Sequence, residues 1–288
     1  MLLAPFDYAA PAALDEAVAL IAGNPNARII AGGLNLLPDM KLGRVSPSLL
    51  VDLRRIQDLR GIRHRDGVGG LRIGAMTTFA EIAANRTVRE HYPALVEAIG
   101  TIGDAQVRNS GTIGGNLAAR MPGTDLPAVA LALDATLNTV GAGGQQALSI
   151  DQYLGQSTSP GTSIITSVDL PPTAQGTGSA YEKFENSASH YALCGVAVAV
   201  TRASDGTIGQ SRVAVTGAAD RAIRLAAVEA ALQSQQPSAR LIEEASAKVD
   251  AGVTFRSDLA ASGEYRAALA QELTRRALTR ALTRAGFR

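Results

Sequence analysis

Over the first 53 positions, the chain combines short apolar runs with a stretch in which apolar residues recur at helical spacing. Residues 12–22 repeat apolar side chains at the three- and four-residue spacing of an amphipathic helix. Residues 28–31 and 48–53 are apolar runs with the length of buried strands, and Gly32-Gly33 ends the first of them. The pattern predicts an α/β unit over residues 1–53.

The next stretch, residues 54–175, continues the mixture of short strands and helices. Thr78 followed three positions later by Glu81 matches a capping box and predicts a helix that starts there. Residues 109–116 are rich in Gly, Thr and Asn and are predicted to form a loop. Further helices are predicted over residues 93–101 and 125–133, and strands over residues 71–75, 136–140 and 163–170.

A different order of elements follows the Pro-, Thr- and Gly-rich linker at residues 171–178. Strands come first and helices afterwards, which predicts an α+β domain over residues 178–288. Asp205-Gly206 is a hairpin signal between two of the strands. The predicted strands cover residues 179–184, 195–202 and 208–216, and the helices cover residues 222–232, 239–250 and 264–282.

Composition excludes several classes of protein. The chain has 288 residues, is 46% hydrophobic and 18% charged, and carries a formal charge of +1, so it is predicted to be globular and not a nucleic-acid binder. One cysteine excludes a disulfide framework and an iron–sulfur cluster held by this chain alone. No signal peptide or long apolar segment is present, so a cytoplasmic location is expected.

The residues that usually carry catalysis are scattered. His64, His91 and His190 form no ligand set with Cys194, so no metal site is predicted. Cys194 lies in an apolar run and is interpreted as a buried hydrophobic residue, not a nucleophile. No residue is predicted to be catalytic.

Two glycine-rich segments, residues 31–37 and 110–116, have a composition suited to phosphate. Consecutive glycines let backbone N–H groups point into one concavity, where they bind an anion without a cationic side chain. Neither segment has the G-x-G-x-x-G spacing of a dinucleotide fingerprint, and each alone fits an ordinary turn. Together, in separate α/β blocks, they favour a dinucleotide held between two subdomains.

Asp125 and the C-terminal arginines each have two interpretations. Asp125 begins a predicted helix, and its spacing favours an N-cap over a ribose contact. The C-terminal stretch from residue 265 onward has an apolar face and carries Arg266, Arg275, Arg276, Arg280 and Arg284, which favours a surface helix with a basic exposed side over a partner-docking helix.

A family resemblance is carried by five stretches, in order and over nearly the whole chain: residues 31–42 (AGGLNLLPDMKL), 111–118 (GTIGGNLA), 124–128 (TDLPA), 264–266 and 273–278. They resemble the FAD-binding medium subunit of the molybdenum hydroxylases, the family of xanthine oxidase and carbon monoxide dehydrogenase. The resemblance implies an α+β protein with two α/β subdomains of the vanillyl-alcohol-oxidase (PCMH) type, residues 1–53 and 54–175, that bind FAD between them. It implies a sheet-and-helices domain of the CO dehydrogenase flavoprotein type over residues 178–288.

The resemblance also implies which residues contact noncovalently bound FAD. In the family the two glycine-rich segments hold the pyrophosphate by backbone N–H groups, and Asp125 would lie near the ribityl or ribose hydroxyls. A compact ammonium at Lys183 would stabilise a negatively charged reduced flavin. One departure is Asn35, where many members have Ser. The implied contacts are Ala31, Gly32, Gly33, Leu34, Asn35, Leu36, Thr112, Ile113, Gly114, Gly115, Asn116, Asp125, Ile165, Lys183 and Tyr191.

The function implied by the resemblance is that of an oxidoreductase subunit that transfers electrons. It would take them from a small iron–sulfur subunit and pass them to an external acceptor. Molybdenum cofactor and 2Fe–2S clusters would be held only by the large and small partners, in a dimer of heterotrimers. Two alternatives stay open. A self-sufficient flavin oxidoreductase would need a proton donor in its pocket, and a module that had lost FAD would not need intact glycines in both segments.

Overall fold

The computed structural model describes residues 3–156 and 163–287. The chain separates into two units that interleave along the sequence. Unit 1 contains Met1–Ile82, Asp104–Ala119 and Thr136–Leu170. Unit 2 contains Ala83–Gly103, Arg120–Ala135 and Pro171–Arg288.

The described residues form short strands in the first half of the chain and longer ones in the second. The strands are β1 (Asp7–Ala9), β2 (Ala27–Ile30), β3 (Leu49–Asp52), β4 (Ile62–His64), β5 (Leu71–Gly74), β6 (Thr136–Gly141), β7 (Gly144–Ser149), β8 (Ser163–Leu170), β9 (Thr177–Glu185), β10 (Ala192–Arg202), β11 (Ile208–Thr216) and β12 (Ile223–Arg224). The helices are α1 (Leu14–Ala22), α2 (Leu36–Lys41), α3 (Phe79–Ala84), α4 (Arg86–His91), α5 (Pro93–Gly100), α6 (Ala105–Ser110), α7 (Ile113–Ala119), α8 (Leu126–Ala132), α9 (Ile150–Gly155), α10 (Ala226–Leu232), α11 (Ala239–Ser246) and α12 (Gly263–Arg284).

Unit 1 is built on two sheets. The first is parallel, with the order β1-β3-β2, and α1 packs on it with Ala17 and Ile21 buried. The second is antiparallel, with the order β4-β5-β8-β6-β7. The α/β pattern predicted for the N-terminal residues is confirmed, with β2 leading directly into the turn before α2.

The predicted start of α3 is confirmed in its hydrogen bonds. The Thr78 N–H donates to Glu81 Oε2 at 2.8 Å, and the Glu81 N–H donates back to Thr78 Oγ1 at 3.3 Å. These reciprocal bonds satisfy two donors that the first turn of a helix leaves without partners.

The prediction of a loop over residues 109–116 is wrong. Only Gly111 and Thr112 lie between α6 and α7, and the glycine-rich stretch is mostly the first turn of α7. A Cβ atom added to Gly114 would lie 2.6 Å from Ala75 Cβ, so this helix passes too close to its neighbour for a side chain. Glycine here permits close packing of a helix, which composition alone does not distinguish from a flexible loop.

Unit 2 contains an antiparallel sheet with the order β12-β11-β10-β9. The helix α12 packs on β9 and β10, and its apolar face is buried against a core of valines from the strands. The hairpin predicted at Asp205-Gly206 is confirmed, since it joins β10 to β11. Helix α10 begins at Ala226, later than predicted, because Ile223 and Arg224 pair with β11 as β12.

The basic side that the sequence predicts for α12 is exposed at four of its five arginines, Arg275, Arg276, Arg280 and Arg284, whose side chains are 34–56% exposed. Arg266 is buried, and each of the other four pairs with at least one carboxylate, although Arg275 and Arg276 share Glu272. Hydrogen bonds from Arg275 and Arg276 lower the pKa of Glu272 to about 2. The pairs are Arg275 and Arg276 with Glu272, Arg280 with Glu97 and Glu182, and Arg284 with Glu97. None of the described helices is both long and apolar enough to cross a membrane.

Candidate functional site

Residues 31–35 link β2 to α2 and form a turn that requires two glycines. Gly33 has a φ of +74°, a backbone conformation that glycine adopts without strain. Gly32 lies so close to a second segment that an added Cβ atom would be 2.3 Å from the carbonyl oxygen of Ser110. Asn35 occupies the N-cap position of α2, but its side chain makes no capping hydrogen bond.

This turn presents backbone donors that the protein does not use. The Gly33 carbonyl accepts the Leu37 N–H at 3.0 Å, which sets the direction of α2. The N–H groups of Gly32, Gly33 and Leu34 have no acceptor among the residues that the structure describes. Free N–H groups beside a helix start carry partial positive charge and bind phosphate or carboxylate groups. The turn therefore has the donors that an anionic ligand requires.

The second glycine-rich segment, at the start of α7, has its backbone donors engaged. The N–H groups of Ile113 and Gly114 donate to carbonyl oxygens of residues 75–77 at 3.2 and 2.9 Å. The Gly115 N–H donates to Thr112 Oγ1 at 3.2 Å. The Thr112 hydroxyl oxygen accepts this bond, and the hydroxyl can still donate its own proton to a ligand. The start of α7 can therefore offer a ligand a side-chain hydroxyl, whereas residues 32–34 offer backbone N–H groups.

Unit 1 brings these two segments together. The Ser110 hydroxyl donates to the Gly32 carbonyl at 3.1 Å, across 78 positions of sequence. A Cβ atom on Gly111 would lie 3.1 Å from Leu34 Cδ1, and one on Gly32 would lie 2.3 Å from the Ser110 carbonyl oxygen, so the two segments pack directly against each other. Ile165 lies buried in β8, the strand against which α7 packs. All the predicted contacts up to Asn116, and Ile165, thus belong to unit 1.

The remaining predicted contacts, Asp125, Lys183 and Tyr191, belong to unit 2, where two of them form a buried ion pair. The Lys183 ammonium lies 3.0 Å from Asp125 Oδ1, and the two side chains are 2% and 4% exposed. The Tyr181 hydroxyl donates to the same oxygen at 2.7 Å, and Lys183 also donates to the Thr101 carbonyl at 3.1 Å. The carboxylate is therefore held from two sides.

The capping role that the sequence favoured for Asp125 is wrong. Asp125 occupies the N-cap position of α8, but its side chain makes no capping bond and reaches Lys183 and Tyr181 instead. Burial raises the pKa of Asp125, an effect that Lys183 and Tyr181 oppose in part. Burial and the neighbouring carboxylate raise the pKa of Tyr181 well above its usual value, so it stays a donor.

Tyr191 is half-buried and lies beside the segment that leads to Asp125. A Cβ atom on Gly123 would lie 3.1 Å from Tyr191 Cβ. The Ala192 N–H donates to the Gly123 carbonyl at 3.1 Å, and the Gly217 N–H donates to the Pro122 carbonyl at 2.6 Å. The ends of β10 and β11 thus fix the backbone on the approach to Asp125.

Arg266 is buried, although the sequence predicts it on the exposed side of the C-terminal helix. Its guanidinium donates to the carbonyls of Leu193 and Gly217 at 2.6 and 2.8 Å, and to Asp258 Oδ1 at 2.8 Å. Burial raises the pKa of Asp258, but hydrogen bonds from the Ala260 N–H, Arg266 and other donors lower it by more than burial raises it. The pKa of Asp258 is therefore below its usual value. The helical spacing held a signal, since residues 266, 270, 273 and 277 share one face of α12 and are all buried.

Cys194 is fully buried, as the sequence predicts. Burial raises the pKa of its thiol to about 12. Because the thiolate is the reactive form, this side chain is inert at neutral pH.

Comparisons with known proteins match these features over almost the whole chain. Residues 4–173 match the family model described as the FAD binding domain in molybdopterin dehydrogenase. Residues 179–281 match the CO dehydrogenase flavoprotein C-terminal domain. The chain belongs to the FAD-binding subunits of the molybdenum hydroxylases. FAD is therefore its cofactor, and the predicted fold class is confirmed.

Individual relatives agree with the family assignment. The carbon monoxide dehydrogenase medium chain of Hydrogenophaga pseudoflava is 35% identical over 283 residues, which cover 97% of this chain and 98% of the relative. The xanthine dehydrogenase FAD-binding subunit of Escherichia coli O157:H7 is 31% identical, with 98% of each chain covered. A solved structure of the Hydrogenophaga pseudoflava carbon monoxide dehydrogenase superposes with a TM-score of 0.93 at 36% identity, covering 99% of each chain. This FAD-binding subunit is thus an oxidoreductase component.

Proposed function

We propose that this FAD-binding subunit binds one FAD noncovalently, with its diphosphate on the turn at residues 31–35, and passes electrons from an iron–sulfur partner to an external acceptor. The observation that carries the proposal is the set of N–H groups of Gly32, Gly33 and Leu34, which have no acceptor among the described residues. Bound FAD supplies the redox chemistry, and the protein supplies binding, orientation and electrostatics.

The residues of unit 1 fit a diphosphate well. Gly32 and Gly33 have no side chains to block a close approach, and the N–H groups bind phosphate oxygens without a counter-cation. The Thr112 hydroxyl and the Asn116 amide add polar groups on the adjoining segment, both largely buried. The roles of Asp125, Ile165, Lys183 and Tyr191 as further FAD contacts rest on the family resemblance and are part of the proposal.

Partners follow from the same family. The two relatives described above are a medium chain and an FAD-binding subunit of dehydrogenases, which implies a large and a small partner here. We propose that these hold the molybdenum cofactor and the 2Fe–2S clusters, in a cytoplasmic dimer of heterotrimers. The single buried cysteine agrees with clusters that are held by another chain.

Electron transfer is tested by mixing the FAD-loaded chain anaerobically with its separately purified, dithionite-reduced iron–sulfur subunit, after dithionite has been removed. We expect the visible flavin absorbance to bleach as the iron–sulfur absorbance recovers. An iron–sulfur subunit that stays reduced beside oxidised flavin would contradict the proposal.

The self-sufficient alternative is tested on the FAD-loaded chain alone. We expect no compound from a panel of aldehydes and N-heterocycles to bleach the flavin without the partner subunits. Rapid bleaching by an organic compound from this panel would favour an oxidoreductase with its own substrate pocket.

A further inference from the structure

The orientation of the Gly32–Gly33 peptide depends on one side chain from a distant part of unit 1. The Ser110 hydroxyl donates to the Gly32 carbonyl at 3.1 Å. In a planar trans peptide the C=O and the following N–H point in opposite directions. A hydroxyl that fixes the Gly32 carbonyl therefore also fixes the Gly33 N–H, which it directs away from Ser110.

Glycine on both sides of this peptide makes such a restraint necessary. Glycine populates positive and negative φ almost equally, so a peptide between two glycines can rotate at low cost. Rotation would turn the Gly33 N–H toward Ser110 and present a carbonyl oxygen to the ligand. A carbonyl beside a phosphate is repulsive, so one of the two orientations binds an anion and the other does not.

Ser110 is itself held firmly at the end of α6. Asp104 caps the start of this helix by accepting the Val107 N–H at 2.8 Å. The Gly111 N–H donates to the Val107 carbonyl at 2.7 Å, and the Gly111 carbonyl accepts the Phe79 N–H at 3.0 Å. The backbone is thus bonded on both sides of Ser110, which gives its hydroxyl a fixed origin.

We propose that Ser110 is a positioning residue, which orients the Gly32–Gly33 peptide so that the Gly33 N–H faces the FAD diphosphate. This inference rests on the proposed placement of the diphosphate on residues 31–35. Ser110 acts through the backbone of Gly32 and does not itself contact the ligand.

The test is FAD titration into the full-length apoprotein, followed by flavin fluorescence, for S110A, S110T and a control. The control S149A removes a serine from unit 1 that caps α9 by accepting the Gln152 N–H at 3.2 Å, away from residues 31–35 in the chain. We expect S110A to raise the Kd for FAD about three- to tenfold, the worth of a single net hydrogen bond. S110T, which keeps the hydroxyl, should bind FAD like the wild type.

Thermal melting of the same apoproteins separates positioning from stability. S149A should lower the melting temperature and leave the Kd for FAD unchanged. The inference is overturned if S110A binds FAD as tightly as the wild type, or if S110T is as weak as S110A. A wild-type chain that binds no FAD would overturn the proposed function itself, whereas a binding wild type with an unaffected S110A would overturn only the role of Ser110.

Discussion

We expect replacement of Gly33 by Asp to abolish FAD binding. The backbone at this position has a φ of +74°, and an added Cβ atom would lie 2.9 Å from Leu37 Cδ1. The new carboxylate would stand beside the N–H groups that the diphosphate needs, so it would both occupy them and repel the ligand. The measurement is FAD retained after gel filtration of the reconstituted protein, together with the Kd from fluorescence titration.

Gly43→Asp is a matched control for this variant. Gly43 lies just beyond α2 with a φ of +71°, and nothing lies within 4 Å of an added Cβ atom. The G43D variant therefore introduces a similar backbone strain and the same charge as G33D, but outside the turn at residues 31–35. We expect G43D to bind FAD like the wild type. Equal FAD binding by G33D and G43D would show that the diphosphate does not lie on residues 31–35.

We expect replacement of Lys183 by Met to destabilise unit 2 by about 3–5 kcal/mol, the typical cost of removing one partner of a buried ion pair. The Asp125 carboxylate would keep its bond from Tyr181 but lose the ammonium at 3.0 Å. Chemical denaturation of the apoprotein measures this loss. Lys41→Met, at an exposed position of α2, is the control and should change stability little.

The effect of Lys183→Met should depend on pH in a defined direction. Burial already raises the pKa of Asp125, and loss of the ammonium raises it further. A native carboxyl with a raised pKa binds its proton at a pH where the unfolded chain does not, so its contribution to stability falls as the pH rises. The loss of stability should therefore be greatest above the raised pKa and shrink as the pH falls through it. The double variant K183M/D125N should recover much of the stability, and a loss that is constant with pH would contradict the pairing.

Much of the secondary structure follows from local pattern. The apolar spacing of α1, the apolar run of β3 and the capping box at Thr78 are each contained in a few neighbouring residues. No local pattern predicts the edge strand β7, because it is largely exposed and shows no alternation of apolar residues. Local signals identify elements that bury one face, and they fail where an element is polar or glycine-rich.

The side-chain partners of the candidate site are long-range and are not visible in the sequence. Asp125 is bonded to Tyr181 and Lys183, which lie 56 and 58 positions further along the chain. The sequence around Asp125 therefore does not distinguish a helix cap from an ion pair. Two of the engaged N–H groups at the start of α7, those of Ile113 and Gly114, are equally hidden from the sequence, because their acceptors are carbonyls more than 30 positions earlier. Glycine spacing identified both segments and did not show which of them keeps its donors free.

The most direct test of the central claim is the FAD content of the purified full-length chain. We expect a yellow protein that holds one FAD per chain and releases all of it on denaturation, as a noncovalent diphosphate site requires. A colourless chain that takes up no added FAD, or flavin that stays attached to the denatured polypeptide, would contradict the central claim.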